Sequence, residues 1–130
     1  MNYAMRTVSR LGFADAVAKT REALAREGFG VITEIDVQKT MKEKLGVEQR
    51  PYVILGACNP QLAHRALAME PDVGLLLPCN VVVCESGPQM VVAAIDPSTM
   101  SGLVGESREF DAVAREARER LSRVIANIGS

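Results

Sequence analysis

The stretch Tyr52-Val53-Ile54-Leu55-Gly56-Ala57-Cys58-Asn59-Pro60 decides the fold, because it describes a strand that leads directly into a helix. Residues 52–57 are apolar at successive positions, as is typical of a strand covered on both faces of its sheet. Asn59 is a favourable helix N-cap, and Pro60 suits the first helical position. We therefore predict a strand over 52–57, followed by a helix that begins at Pro60 and ends before Pro71.

A second cysteine–asparagine pair, Cys79-Asn80, stands directly before the apolar run Val81-Val82-Val83. If the second strand ran parallel to the first, the two pairs would lie at opposite ends of the sheet. The nine residues 71–79 can, however, span up to about 30 Å when extended. That length is enough to return the chain to the edge it left. We favour this second route, which predicts both pairs on one edge, called the Cys-Asn rim below.

Hydrophobic periodicity predicts that a helix and then a strand precede the strand over 52–57. The helix is marked by apolar and small residues at four-three-four spacing, namely Phe13, Val17, Thr20 and Leu24. Residues 29–35 alternate as a strand, with Val31, Thr33 and Ile35 on one face and Ile32 and Glu34 on the other. A short helix from Val37 to Leu45 ends at Gly46.

The rest of the chain adds an opening strand within 1–8, a hairpin and a long final helix. The hairpin joins strands over 81–84 and 90–95 through Ser86-Gly87-Pro88-Gln89. Residues 98–107 are predicted to be a loop. The final helix, about 109–128, carries one apolar stripe formed by Phe110, Ala114, Ala117, Leu121, Val124 and Ile128.

These elements follow the order β-α-β-α-β-α-β-β-α within a single domain over 1–130. We predict an α+β fold of two layers, with a mixed, mainly antiparallel sheet and helices on one face. The strands over 52–57, 81–84 and 90–95 are apolar on both faces, so the second face also needs a cover. A second subunit is the simplest cover, and we expect a homodimer to which the final helix also contributes.

Composition excludes several classes of protein. The 130-residue chain has a formal net charge of −1, which does not favour nucleic acid or an anionic membrane as a partner. No apolar run approaches the roughly 18 residues of a membrane span. We expect a cytoplasmic protein, because no signal peptide is visible. Three cysteines without C-x-x-C spacing argue against a disulfide framework and a standard zinc site.

Cys58 is the strongest candidate for chemistry, because it stands just before a predicted helix N-terminus. The helix dipole and the free amide groups there favour a thiolate, which would make Cys58 a nucleophile or a soft-metal ligand. The alternative is a small apolar thiol packed at the end of a strand. We favour packing, since reactivity requires exposure of the sulfur. Among the three thiols we expect Cys58 to be the most reactive and Cys84, inside an apolar strand, the least.

Asn59, Cys79 and Asn80 complete the candidate ligand-binding rim with Cys58. Cys79 and Asn80 repeat the local pattern without a clear helix start. The alternative is a plain strand entry in which Asn80 bonds to nearby backbone. The only histidine, His64, points away from the apolar face of its helix and is expected on the surface.

Glu85 is a further ligand-binding candidate. It falls on the same strand face as Val81 and Val83, next to a turn. If it were buried near the rim it would be a candidate general base. We favour a solvated carboxylate, which is the usual state of an acid at a hairpin end.

The combined motifs resemble the family called domain of unknown function 302. The resemblance is carried by 55–60, by Leu76-Leu77-Pro78-Cys79-Asn80-Val81 and by Asp96-Pro97, with supporting residues at 42–46 and 51–54. It extends over about 5–128. It implies a small dimeric α+β domain without an agreed activity.

Three functions remain open at this point. The first is a dimeric binding module that holds a small molecule or a soft metal ion at the Cys-Asn rim; thiolates suit zinc, copper(I) or iron–sulfur species. The second is a structural or interaction protein whose motifs serve folding and dimerisation. The third is a thiol-dependent enzyme or redox protein with Cys58 as nucleophile and Asn59 or Asn80 as an orienting group. Binding is ranked first and catalysis last, because no base is evident.

Overall fold

The two strands that carry the cysteine–asparagine pairs lie side by side near the centre of the sheet. In the computed structural model, which describes residues 2–129, five strands form one sheet in the order β1-β5-β4-β3-β2. All four neighbouring pairs are antiparallel. The elements are β1 Ala4–Ser9, α1 Phe13–Arg26, β2 Gly30–Asp36, α2 Val37–Leu45, β3 Tyr52–Cys58, α3 Pro60–Met69, β4 Cys79–Ser86, β5 Gln89–Ile95, α4 Ser101–Val104 and α5 Arg108–Gly129. The predicted α+β fold is confirmed, and its sheet is antiparallel throughout the described strands.

One face of the sheet is covered by helices. Helices α1 and α5 lie across the sheet, and α3 packs against α5. The sheet side chains under them are buried, and include Val53, Leu55, Val81, Val83, Val92 and Ala94. The hydrophobic core therefore lies between this face and the helical layer.

The other face, called the open face below, has no cover within the described chain. By the alternation of the strand registers, its side chains include Ala4, Arg6, Val8, Thr33, Ile35, Tyr52, Ile54, Asn80, Val82, Cys84, Ser86, Gln89, Val91, Ala93 and Ile95. None of these residues is buried. Val8 is 45% exposed and Ile35 is 49% exposed. The prediction that the strands present apolar side chains on both faces thus matches the structure.

The final helix forms as its periodicity predicts. All six predicted stripe residues are buried, and Val113 and Ile125 widen the stripe. On the solvated side, Glu116 pairs with Arg120 at 3.2 Å, whereas Arg123 pairs with Glu27 at 2.9 Å. Because the stripe packs within the subunit, the expected contribution of this helix to a dimer finds no support in the structure.

A β-bulge changes the predicted faces of β2. The register shifts between Val31, which pairs with Ala57, and Thr33, which pairs with Gly56. Ala57 and Gly56 point to opposite faces, so Val31 faces the helices while Thr33 and Ile35 lie on the open face. The prediction that Val31 shares a face with Thr33 was wrong, because an extra residue in an edge strand reverses the alternation beyond it.

The loop predicted at 98–107 is largely helical. Asp96 caps a 3₁₀ helix over Pro97–Met100, accepting a hydrogen bond from the Ser98 amide at 2.9 Å. This 3₁₀ helix continues into α4. A second 3₁₀ helix, Pro71–Leu76, connects α3 to β4. Short helices of this kind lack the periodicity by which longer ones are predicted.

Candidate functional site

The corner between β3 and α3 forms as its sequence predicts. Cys58 is the last residue of β3, and Pro60 is the first of α3. Asn59 Oδ1 accepts a hydrogen bond from the Leu62 amide at 3.2 Å, which makes Asn59 the N-cap. The cap satisfies one of the amide groups that a helix start leaves unpaired.

The chain returns to the same edge for the second pair. In the antiparallel ladder of β3 and β4, Ala57 pairs with Cys79 and Gly56 pairs with Asn80. Cys58 ends β3 where Cys79 begins β4, so both cysteine–asparagine pairs lie at one rim. The favoured route is therefore confirmed, and the 3₁₀ helix after α3 supplies the return path.

Gly56 explains how the rim packs so closely. A Cβ atom at this position would overlap Thr33 Oγ1 and lie 2.8 Å from Pro78 Cγ. Pro78 follows a cis peptide bond and precedes Cys79 directly. Only a glycine leaves room for the neighbouring strand and the proline ring together.

The rim borders an apolar cavity of about 350 Å³. Its walls come from the ends of β3 and β4, from α3, from both 3₁₀ helices and from the first half of α5. The polar lining side chains are Cys58, Asn59 and Cys79. Most of the remaining wall is formed by Phe29, Ile32, Leu62, Ala63, Ala66, Val73, Leu77, Met100, Phe110, Ala114 and Ala117. Among the described residues that line the cavity, none carries a charge.

The two thiols at the cavity differ in accessibility. Cys79 is buried, and Cys58 is partly exposed. Burial, and secondarily the neighbouring Cys58 sulfur, raise the pKa of the Cys79 thiol from 9.0 to about 11. Cys79 is therefore a neutral thiol near pH 7, and Cys58 is the sulfur that a solvent-borne reagent can reach.

Asn59 lies at the edge of the cavity, beside Cys58. Its side chain is more than nine-tenths buried. Oδ1 serves as the helix cap, whereas Nδ2 donates no hydrogen bond to any residue within 2–129. A Cβ atom on Gly28 would lie 2.9 Å from Nδ2, so the glycine after α1 makes room for the amide.

The structure separates Asn80 and Glu85 from the cavity. Asn80 lies on the open face and is exposed. Glu85 is six positions along β4 from Cys79, about 20 Å away in an extended strand. Its carboxylate accepts a hydrogen bond from Arg50 Nε at 2.9 Å. The alternation of the strand removes Asn80 from the site, and the length of the strand removes Glu85.

Cys84 and His64 also have defined places. Cys84 lies inside an apolar strand, as predicted, but on the open face, where it is only partly buried. Burial, opposed by the charge of Arg6, raises the pKa of the Cys84 thiol. His64 is exposed on α3, as predicted.

Asp96-Pro97 has a structural explanation. The Asp96 carboxylate caps the 3₁₀ helix and pairs with Arg118 Nε of α5 at 3.0 Å. Burial acts against ionisation, but the hydrogen bonds from Ser98 and Arg118 outweigh it and lower the pKa of Asp96. Pro97 and Met100 then form part of the cavity wall.

The described residues offer no cluster of metal ligands and no membrane-spanning helix. Residues 2–129 hold no group of three or more His, Cys, Asp or Glu side chains placed to bind a metal ion. The two rim cysteines alone do not supply the four ligands of a zinc site. No helix of the described chain has the length and apolar character needed to cross a membrane.

Sequence reasoning missed most of the cavity wall. Val73, Met100 and Phe110 come from segments distant in sequence, and only the tertiary fold brings them to the rim. One feature of the sequence does indicate the cavity. Alanines at 63, 66, 114 and 117 lie on the inner faces of α3 and α5, and they leave space that larger apolar residues would fill.

Comparisons with known proteins agree with this architecture. The family model described as "Domain of unknown function DUF302" matches residues 5–128. Among solved structures, the crystal structure of an uncharacterised conserved DUF302 protein from Bacillus stearothermophilus is similar, with 27% sequence identity and a TM-score of 0.90. The match covers 98% of this chain and 99% of that chain. No curated protein matches. The chain belongs to the DUF302 family.

Proposed function

We propose that this protein is a small-molecule-binding module whose site is the apolar cavity beside Cys58, Asn59 and Cys79. The observation that carries the proposal is the cavity itself. Its volume of about 350 Å³ falls within the roughly 300–1,000 Å³ typical of small-molecule sites. Such sites combine apolar walls with a few polar groups that orient the ligand.

The chemistry of the wall selects an uncharged, mainly apolar ligand. A carboxylate or phosphate would lose its hydration without gaining a cationic partner from the described wall. An apolar molecule would gain about 25 cal/mol for each Å² of apolar surface removed from water. Asn59 and the two thiols would then fix its orientation.

A soft metal ion is the less favoured ligand. A thiolate pair without further donors suits only low coordination numbers. The wide apolar cavity would also serve no purpose in holding a single ion. A purely structural role is likewise less favoured, because a half-open apolar cleft of this size leaves apolar side chains such as Ile32 and Leu67 in contact with water.

The sheet supports the expected homodimer as part of this proposal. The open face is mainly apolar and has no cover within the described chain. Its polar members are Arg6, Thr33, Asn80, Ser86 and Gln89. Five strands about 4.8 Å apart and six residues long present a projected area on the order of 500 Å². This is more than half of the roughly 800 Å² that each partner contributes to a stable interface, and exposed neighbours such as Tyr3 would add to it. A cytoplasmic location remains a prediction of the sequence analysis.

Filling the cavity tests the proposed function. Ala63 lines the cavity on α3, whereas Ala68 is exposed on the same helix. We expect Ala63→Phe to abolish binding of an apolar fluorescent probe to the folded protein. Ala68→Phe, the matched control with the same added side chain, is expected to bind as the parent does. Equal probe binding by the parent and both variants would show that the cavity is not the site.

A further inference from the structure

A second groove lies on the open face, on the side of the sheet opposite the helices. It has a volume of about 380 Å³ and extends over β1, β5, β4 and the start of β3. Its polar lining residues are Tyr3, Arg6, Tyr52, Asn80 and Cys84. This depression, called the Arg6 groove below, therefore contains a positive charge, which the lining of the apolar cavity lacks.

A small residue in the middle of the sheet leaves the space for the Arg6 groove. Arg6 on β1 pairs with Ala93 on β5, and Ala93 pairs with Val82 on β4. Neighbouring strands lie about 4.8 Å apart, and the alanine methyl group fills little of the space between the two larger side chains. Tyr3 and Tyr52 also line the groove. The result is an apolar floor bordered by two aromatic rings and one guanidinium group.

Arg6 has no counter-charge in the described structure. It makes no hydrogen bond or ion pair with any residue within 2–129. It is also the only charged side chain among the described members of the open face. Burial raises the pKa of the Cys84 thiol and the charge of Arg6 opposes that effect, which agrees with their shared place in the groove. The groove thus offers an unpaired cation to an anion.

The second copy proposed above does not supply the missing negative charge. A face-to-face dimer brings the same surface of both copies together. Within the described strands, the open face has no Asp or Glu side chain that could meet Arg6 of the other copy. Covering an arginine without an anion is costly, because the charge loses its hydration. In the dimer, the counter-charge has to come from solution.

We propose that the Arg6 groove is a second ligand site, which binds a small aromatic monocarboxylate. The carboxylate pairs with the Arg6 guanidinium, whose planar donors match both carboxylate oxygens. A phosphate is disfavoured, because its second negative charge would enter the groove unpaired. The aromatic body lies over Val82 and Ala93 and contacts the rings of Tyr3 and Tyr52. This site is separate from the apolar cavity, for which the proposed ligand is uncharged.

Tyrosine fluorescence is a probe that the chain itself supplies. The protein has two tyrosines and no tryptophan, and both tyrosines line the Arg6 groove. A ligand bound in the groove should therefore change the intrinsic emission of the protein. The Cys84 thiol supplies an independent readout, because a ligand over it should slow its alkylation.

A matched pair of ligands tests the role of the charge. Phenylacetate and phenylacetamide have the same ring and nearly the same size, but only phenylacetate is negatively charged near neutral pH. We expect phenylacetate to change the tyrosine emission with saturation. Peptide mapping should show that it protects Cys84 from alkylation over the same concentration range. Phenylacetamide should bind about tenfold more weakly, because it cannot form a charge-assisted pair with Arg6.

Two arginine variants and one filled groove assign the site. Arg6→Gln should weaken phenylacetate binding by about tenfold and leave phenylacetamide binding unchanged. Arg10→Gln is the matched control, since it removes an exposed arginine that does not line the groove, and it should bind as the parent does. Ala93→Leu should abolish binding of both ligands by filling the floor. Melting temperatures show whether each variant is folded.

The outcomes separate this inference from the proposed function. Equal phenylacetate affinity of the parent and Arg6→Gln would overturn the proposed site, as would the absence of saturable binding at millimolar phenylacetate. If Ala63→Phe abolishes phenylacetate binding, the ligand occupies the apolar cavity and the assignment to the Arg6 groove is wrong. If Ala63→Phe binds phenylacetate as the parent does and Arg6→Gln does not, the Arg6 groove is supported, whatever the apolar probe shows for the cavity.

Discussion

At the scale of single residues, the rim depends on side chains that are small or neutral. Gly56 admits Thr33 and Pro78 to the same space, and Cys79 is buried as a neutral thiol. Each of these features makes a measurable prediction about stability.

Replacing Gly56 by alanine should destabilise the protein by about 1–3 kcal/mol, the usual cost of overpacking a filled site. The added Cβ would overlap Thr33 Oγ1 and approach Pro78 Cγ within 2.8 Å. Gly74→Ala is the control, because a Cβ there meets nothing within 4 Å. Urea denaturation measures both. Equal midpoints for the two variants would contradict the packing argument.

The buried Cys79 thiol should make stability fall at alkaline pH. Burial, and the nearby Cys58 sulfur, raise its pKa from 9.0 in the unfolded chain to about 11 in the folded protein. The folded state holds the proton more tightly, so the contribution is fully present below pH 9 and is lost as the pH rises through about 11. A difference of this size corresponds to about 2–3 kcal/mol.

Denaturation series between neutral pH and about pH 11 measure this effect. Cys79→Ala should flatten the alkaline decline, while Cys84→Ala, which alters a less buried thiol, should flatten it less. Identical pH profiles for the parent and Cys79→Ala would show that Cys79 does not hold its proton in the folded state.

At the scale of elements, the start of α3 is stabilised by the N-cap that the sequence predicts. The Asn59 cap bonds to the Leu62 amide at 3.2 Å. Asn59→Ala should cost about 1 kcal/mol of unfolding free energy, and Asn59→Ser only a few tenths. Chemical denaturation of both variants checks the order. An unchanged midpoint for Asn59→Ala would mean that the cap contributes nothing to stability.

Hydrophobic periodicity predicts long, regular elements correctly and fails for short or irregular ones. The six-residue stripe of α5 repeats over more than five turns, and every member is buried. Strand β2 lies at an edge, and one bulge reversed the face of Val31 relative to Thr33. The 3₁₀ helix Pro97–Met100 and α4 are each four residues long, too short for a repeating pattern to emerge.

At the scale of the whole molecule, the open face is the feature that a second copy would cover. Val82 lies on the central strand β4 of that face and is partly exposed. If the face is the dimer interface, Val82→Arg should convert a dimer into a folded monomer, because a charge opposite its own copy is costly. Ala18→Arg, on the exposed side of α1, should remain dimeric. Sedimentation at micromolar concentration measures both. A monomeric parent protein would contradict the dimer.

The sequence by itself determined the order of the strands and the longer helices, the antiparallel tendency of the sheet, the β3–α3 corner and the buried stripe of α5. These are encoded locally, in the N-cap Asn59, the helix-starting Pro60 and periods that repeat over many residues. Only the tertiary structure decided which candidates meet. It placed Cys58, Asn59 and Cys79 at one cavity and left Asn80 and Glu85 outside it. The physical reason is that these placements depend on strand register, on a bulge and on the return path after α3. All three are set by pairing between segments that are distant in sequence, and a local sequence pattern does not encode such pairing.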